Sequence, residues 1–263
     1  MSIEVLLLFG LTGYLVGSFS FARLFVRIFA PDFDLKNLKT KAEGGEEMKM
    51  LTSGANAVSL VIGPKLSMLV SILDILKVAL PMLALKVFYG GDLTYLVFSI
   101  AALLGNNWPI YYSFKGGTGF SVAIGSVAVV DVVAAVAAPV LGLFAGVFIF
   151  GNIGIANLGW LVFLVPLLWL RTSNVAVIIF TIILDIVILI ALWPEARRFM
   201  QYSRQGRLKG LAESYYNSSS MARGMKRIFD WRNNLGKWRY PIAILSAMAL
   251  FTFFYVVYVL GKP

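Results

Sequence analysis

Apolar runs long enough to cross a bilayer alternate with short polar stretches along this chain. Residues 3–22 form the first run, with no positive segment before it, acidic Glu4 near its start and no small-residue cleavage site after it. That arrangement reads as a retained span and not as a cleaved signal peptide. Gly13 and Gly17 stand in GxxxG spacing, with Gly10, Ser18 and Ser20 nearby, which predicts a face for close helix packing. A second span covers about 66–88, and a third covers 93–109 after the turn Tyr89-Gly90-Gly91-Asp92. The pattern is less regular from 119 to 193. The run 120–150 is long for one upright helix, Gly151 to Asn157 interrupts it, and 158–170 is short for a span. Arg171-Thr172-Ser173-Asn174 then precedes a clear span at 175–193, and a last span runs over 240–260.

Polar segments orient these spans. Arg23 to Asn56 carries six Lys/Arg and five acids, and 194–239 carries eleven Lys/Arg against Glu195, Glu213 and Asp230. Positive-inside counting puts both in the cytoplasm and the N-terminus outside. The crossings between 119 and 193 are then even in number, two or four. The predicted fold is all-α, a polytopic transmembrane helix bundle of about six to eight spans in the cell membrane, some of them half-helices. It divides into a membrane domain over 1–193, a basic cytoplasmic segment over 194–239 and a C-terminal transmembrane helix over 240–263.

Within the first polar segment, Lys41 to Glu47 reads as a mobile turn or a short surface helix. Thr52-Ser53-Gly54-Ala55-Asn56 reads as a helix N-cap, which is compatible with an anion site because free N–H groups at a helix start serve both. In the second segment, Ser218-Ser219-Ser220 can cap a helix with Met221, Met225, Ile228 and Phe229 on one face. Arg223, Lys226 and Arg227 fall largely on the other, and Trp231 and Trp238 flank its end. Such a helix lies on anionic lipid or packs inside the protein.

Composition narrows the chemistry. The chain is 59% hydrophobic and 14% charged, with a formal charge of +10 and a mean hydropathy of +0.83. A basic patch can bind nucleic acid, but beside membrane spans it indicates anionic lipid headgroups, so no nucleic-acid partner is expected. There is no cysteine and no histidine. Disulfides, thiolate catalysis and Fe–S chemistry are excluded, and the commonest general base and metal ligand are missing. No metal site is expected.

Polar residues inside the apolar runs are the candidates for function. Ser67, Ser71, Asp74 and Lys77 recur at spacings of four, three and three and share one helix face. Asp74 and Lys77 either neutralise one another or act in a site. Asp131 and Asp185 have Arg171 or solvent as candidate partners. Gly105-Asn106-Asn107-Trp108-Pro109 is followed after five residues by Lys115-Gly116-Gly117-Thr118-Gly119. Irregular backbone between spans persists only where protein or a water-filled cavity covers it. Glycines there let N–H groups converge on an anion, and Lys115 adds a charge, so this loop is the candidate phosphate holder.

The order of these pieces resembles the bacterial membrane glycerol-3-phosphate acyltransferases that use acyl phosphate. The matching pieces are Gly17-Ser18, Gly54-Ala55-Asn56, Asp74-Ile75-Leu76-Lys77 with Pro81, Gly105 to Pro109, and Phe114 to Gly119. The resemblance covers about residues 10–130, more weakly to 193, and makes 194–263 an addition. It implies an acyltransferase-like membrane domain of phospholipid biosynthesis, with acyl phosphate and glycerol 3-phosphate, or a related polyol phosphate, as substrates. It requires no cofactor.

Several positions depart from the family pattern. The first motif's serine is absent around Met48 to Leu51, and its arginine is Ser59. The histidine after Gly105 is Asn106, the lysine of the glycine loop is Thr118, and the third motif's His and Asn are missing around Trp193 to Arg198. Lys77, Lys115 and Asn106 are the expected catalytic residues. Ser53, Gly54, Asn56, Asp74, Gly116, Gly117, Thr118 and Gly119 are the expected substrate-binding ones. Asn106 can orient a substrate but not deprotonate it. A binder of a lipid or anionic metabolite is the alternative, and a small transporter a further one.

Overall fold

The computed structural model describes residues 2–33, 39–41, 47–49, 54–90, 92–204 and 220–260. The described residues are mainly helical, with one short pair of antiparallel strands among them. Among the described residues, seven helices are long and apolar enough to cross a membrane, so the chain is a multi-pass membrane protein.

The chain divides into two compact units, Met1–Val129 with Ile183–Arg223, and Val130–Ile182 with Gly224–Pro263. In the first unit, α1 (Ile3–Ser18) ends at Phe19, and α2 (Phe21–Phe29) begins after Ser20, whose Oγ accepts the N–H of Arg23. The expected single run over 3–22 is therefore broken at its polar end by a capping serine. Strands β1 (Lys39–Lys41) and β2 (Glu47–Lys49) pair antiparallel. The surface helix or mobile turn expected over 41–47 thus begins and ends in strand, and 42–46 lie outside the described residues.

Next come α3 (Ala55–Val61), α4 (Pro64–Tyr89) and α5 (Asp92–Asn107), then a 3-10 turn at Ile110–Tyr112 and α6 (Phe120–Val130). Pro64 starts α4, where its missing N–H costs nothing, and Gly90 ends it at φ +62°. Ala22 and Val26 of α2 are buried with Val58 and Val70 of α3 and α4.

Glycines set how closely α1 approaches α5. A Cβ at Gly13 would collide with the Phe98 carbonyl, one at Gly17 with that of Ala102, and one at Gly105 with that of Tyr14. The GxxxG spacing is thus used for backbone-to-backbone packing. Tyr14 Oη donates to the Trp108 carbonyl at 2.7 Å and locks the register.

In the second unit, α7 (Val132–Phe144) continues through a π-helical turn (Ala145–Phe150) and returns as α8 (Ile153–Thr172). The run 120–150 is split at Asp131, whose Oδ1 accepts the N–H of Ala134 and caps α7. The break expected over 151–157 is only Gly151 and Asn152. Asn152 Oδ1 takes the N–H groups of Gly154 and Ile155, so α8 starts early enough to reach 20 residues and spans where 158–170 looked too short. Gly142 packs on Trp160 and Gly146 on Ala156.

Helix α9 (Val175–Arg204) runs well past the expected end at 193, and α10 (Ser220–Asn234) and α11 (Arg239–Leu260) follow. Phe229 of α10 is buried against Val147 and Ala156, and Trp231 meets Phe148 edge-on at 6.1 Å. Of the two readings of this amphipathic helix, Phe229 serves packing within the protein. The side chains of Met221 and Met225 lie outside the described residues. Tyr240, Leu245, Phe251 and Phe253 of α11 are exposed, as suits a helix in contact with lipid.

Candidate functional site

Four pieces of the first unit meet where α1 and α5 end. Lys77, just past the middle of α4, is the knot. Its Nζ donates to the carbonyls of Gly17 (3.3 Å) and Phe19 (2.8 Å) and to Asn106 Oδ1 (3.1 Å), and it pairs with Asp74 Oδ1 at 2.7 Å. The last carbonyls of a helix have no partner inside it, and Lys77 supplies one to the end of α1. The ammonium has three protons and four oxygen neighbours, so it is saturated inside the protein. Its side chain is 6% exposed and that of Asp74 14%. The pairing expected from their spacing is therefore formed.

The glycine loop folds back on the end of α5. Gly117 donates its N–H to the Asn106 carbonyl at 3.1 Å, and Lys115 donates its own to that of Tyr112 at 3.2 Å. A side chain at Gly116 would run into the Asn106 carbonyl and Pro109 Cδ, and one at Gly119 into Leu103 and Asn107 Oδ1. Gly119 also has φ +81°. At these two positions the turn requires glycine. Gly117 is different: a Cβ there would lie 3.5 Å from Asn106 Nδ2 and 3.9 Å from Gly54 Cα. Gly54, the residue that caps α3 without a side-chain bond, is thereby beside the loop.

Ser113 and Phe114, at φ 53° and 58°, hold left-handed backbone that ordinary residues avoid. Such strain costs roughly 1–3 kcal/mol per residue, and it gathers where a loop must hold one geometry. The N–H groups of Gly116 and Thr118 make no hydrogen bond among the described residues, and both residues are half-buried. The Lys115 side chain is exposed. These two N–H groups and the exposed Lys115 side chain are what the loop could offer an anion.

Of the sequence-predicted residues, Lys77, Asp74, Asn106, Gly54 and Lys115 to Gly119 come together. Ser53 lies outside the described residues, as does the side chain of Asn56. Two further basic residues have partners of their own. Arg171 Nε pairs with Asp131 Oδ2 at 2.6 Å, and Arg197 stacks on Trp193 at 5.1 Å. Asp185 has one buried carboxylate oxygen with no hydrogen-bond partner among the described residues.

Sequence reading missed Arg23. Its Nη2 donates to the Lys115 carbonyl at 2.6 Å, across 92 residues. In sequence it is only the first charge of a polar segment, and no spacing rule links it to the loop. Asn107, 4% exposed and against Gly119, was likewise passed over.

Membrane-length helices, with a glycine loop folded on Asn106 and a buried Lys–Asp pair beside it, define a polytopic membrane protein. The family model for glycerol-3-phosphate acyltransferase matches residues 7–202. The chain belongs to that family. A glycerol-3-phosphate acyltransferase of Shouchella clausii (strain KSM-K16) is 32% identical over 140 residues, 52% of this chain and 63% of that protein. One from Aquifex aeolicus (strain VF5) is 29% identical over 188 residues, 71% of this chain and 81% of the other. The crystal structure of PlsY, an integral membrane glycerol 3-phosphate acyltransferase, in its glycerol 3-phosphate form matches with TM-score 0.60 and 25% identity. That match covers 77% of this chain and 93% of PlsY. The alignment spans less than two thirds of the Shouchella clausii relative.

Proposed function

We propose that this protein is a membrane acyltransferase of phospholipid biosynthesis that transfers an acyl group from acyl phosphate to glycerol 3-phosphate or a related polyol phosphate. The observation that carries this reading is the loop Lys115–Gly119, folded on Asn106 with the N–H groups of Gly116 and Thr118 unused among the described residues. Family membership supports it.

In this reading the loop amides and Lys115 hold a substrate phosphate with Gly54 beside them, Ser53 and Asn56 are assigned to hydrogen-bond the substrate, and Asn106 orients the acceptor. Asp74 and Lys77 brace the site by fixing the ends of α1 and α5. The glycerol hydroxyl adds to the acyl carbonyl, the carbonyl–phosphate bond breaks, and the departing phosphate takes the hydroxyl proton. Acyl phosphate is already activated, so the chemistry needs positioning and charge stabilisation more than a base. The membrane domain over 1–193 would carry the reaction. The loop and residues 194–239 would face the cytoplasm, with the N-terminus outside the cell membrane and basic side chains against anionic lipid.

The test is turnover. Purified protein given acyl phosphate and labelled glycerol 3-phosphate is expected to yield labelled lysophosphatidate. No product from well-folded protein would overturn the acyltransferase reading. A second reading, a binder of a lipid or anionic metabolite, draws on Asn106, an amide that cannot take a proton, and on the saturation of Lys77. It expects thermal stabilisation by glycerol 3-phosphate without turnover.

A further inference from the structure

Arg23 sits in the first turn of α2, its backbone N–H held by Ser20 Oγ at 3.3 Å. Its side chain crosses to the glycine loop. Nη2 donates to the Lys115 carbonyl at 2.6 Å, and the guanidinium carbon lies 4.5 Å from the centre of the Tyr112 ring. The guanidinium is thus fixed by a ring on one side and by a backbone acceptor at its tip.

A trans peptide is planar, and its carbonyl and the following N–H point in opposite directions. Whatever holds the Lys115 carbonyl therefore sets the direction of the Gly116 N–H. Glycine by itself does not set it, because its backbone explores more conformations than any other residue.

We propose that Arg23 is a positioning residue for the phosphate-binding loop: it clamps the Lys115–Gly116 peptide so that the Gly116 N–H is aimed at a substrate phosphate before the substrate arrives. This inference rests on the reading in which the loop binds phosphate. Arg23 acts through the peptide, and its positive charge is not itself the contact that matters. Tyr112 shares the task by holding the guanidinium in place.

Kinetics and binding on the full-length protein in detergent separate these ideas, using glycerol 3-phosphate as the probe with acyl phosphate as donor. Arg23→Ala is expected to raise KM for glycerol 3-phosphate, and its Kd by thermal shift, roughly tenfold while kcat falls less. Arg23→Gln keeps an N–H donor without the charge and is expected to recover most of that loss. Tyr112→Leu is expected to raise KM about two- to fivefold, and it keeps the test alive if Arg23→Ala fails to fold. A wild-type protein that neither turns over nor binds glycerol 3-phosphate removes the phosphate-loop reading and this inference together. A working wild type whose Arg23→Ala or Tyr112→Leu variant keeps its KM overturns this inference alone. So does an Arg23→Gln variant as impaired as Arg23→Ala, which would make the charge itself the working element.

Discussion

Lys77 Nζ lies 3.1 Å from Asn106 Oδ1, and through that bond the middle of one membrane helix grips the end of another. The same ammonium holds the Gly17 and Phe19 carbonyls, so three chain segments that frame the glycine loop share one cation. The loop then builds on Asn106, whose carbonyl receives the Gly117 N–H at 3.1 Å. Bracing of the helices and folding of the loop are joined at a single residue.

Removing either member of the buried pair should be costly. Lys77→Met leaves Asp74 without its counter-charge and the Gly17 and Phe19 carbonyls without their donor. A loss of about 3–5 kcal/mol is expected, because an unpaired buried charge is worse than no charge. The double variant Asp74→Asn/Lys77→Met should be more stable than Lys77→Met alone. Thermal unfolding in detergent measures both, and additive effects would contradict the coupling.

Gly116 and Gly117 look equivalent in sequence and are not equivalent in space. Gly116→Ala drives a methyl group into the Asn106 carbonyl and Pro109, whereas Gly117→Ala meets nothing nearer than 3.5 Å. The first should lower stability by about 1–3 kcal/mol and abolish substrate binding. The second should fold normally. Melting temperatures of the two variants, measured side by side, decide it; equal losses would be inconsistent with this loop geometry.

Lys115→Ala should leave folding intact, since the side chain is exposed and, among the described residues, only its backbone is bonded. Turnover should fall several-fold through a raised KM for the phosphorylated substrate, consistent with the loss of one charge-assisted contact. Unchanged steady-state kinetics would remove Lys115 from the site.

Arg171 and Asp131 should behave as a structural couple with no part in substrate binding. Asp131 both caps α7 and pairs with Arg171 at 2.6 Å, with side chains 12% and 15% exposed. A double-mutant cycle of Arg171→Met and Asp131→Asn is expected to show coupling of about 1–3 kcal/mol in stability. KM for glycerol 3-phosphate should not move in Arg171→Met, and a large rise there would bring Arg171 back as a substrate contact.

Much of the architecture was readable from residue order because the bilayer imposes a length rule: a spanning helix needs about 20 apolar residues. The runs at 66–88 and 240–260 became α4 and α11 with ends shifted by at most two residues. Gly13 and Gly17 announced a close helix approach, since only small residues let backbones meet, and the fold supplied α5 as the partner. Where the rule met polar capping residues it failed. Ser20 and Asp131 each ended one helix and began another inside an apolar run, and Asn152 started α8 inside a stretch that read as a break.

By itself the amino-acid order determined that this chain lives in a membrane, where its helices run and which loop carries glycine beside a lysine. Hydropathy and spacing are local quantities, and these features depend on nothing further away than a few turns. Tertiary packing alone decided partners: Lys77 to the end of α1, Arg171 to Asp131, and Arg23 to the Lys115 carbonyl 92 residues on. A cation in low dielectric takes the nearest oxygens that folding delivers, and which oxygens those are depends on how whole helices cross.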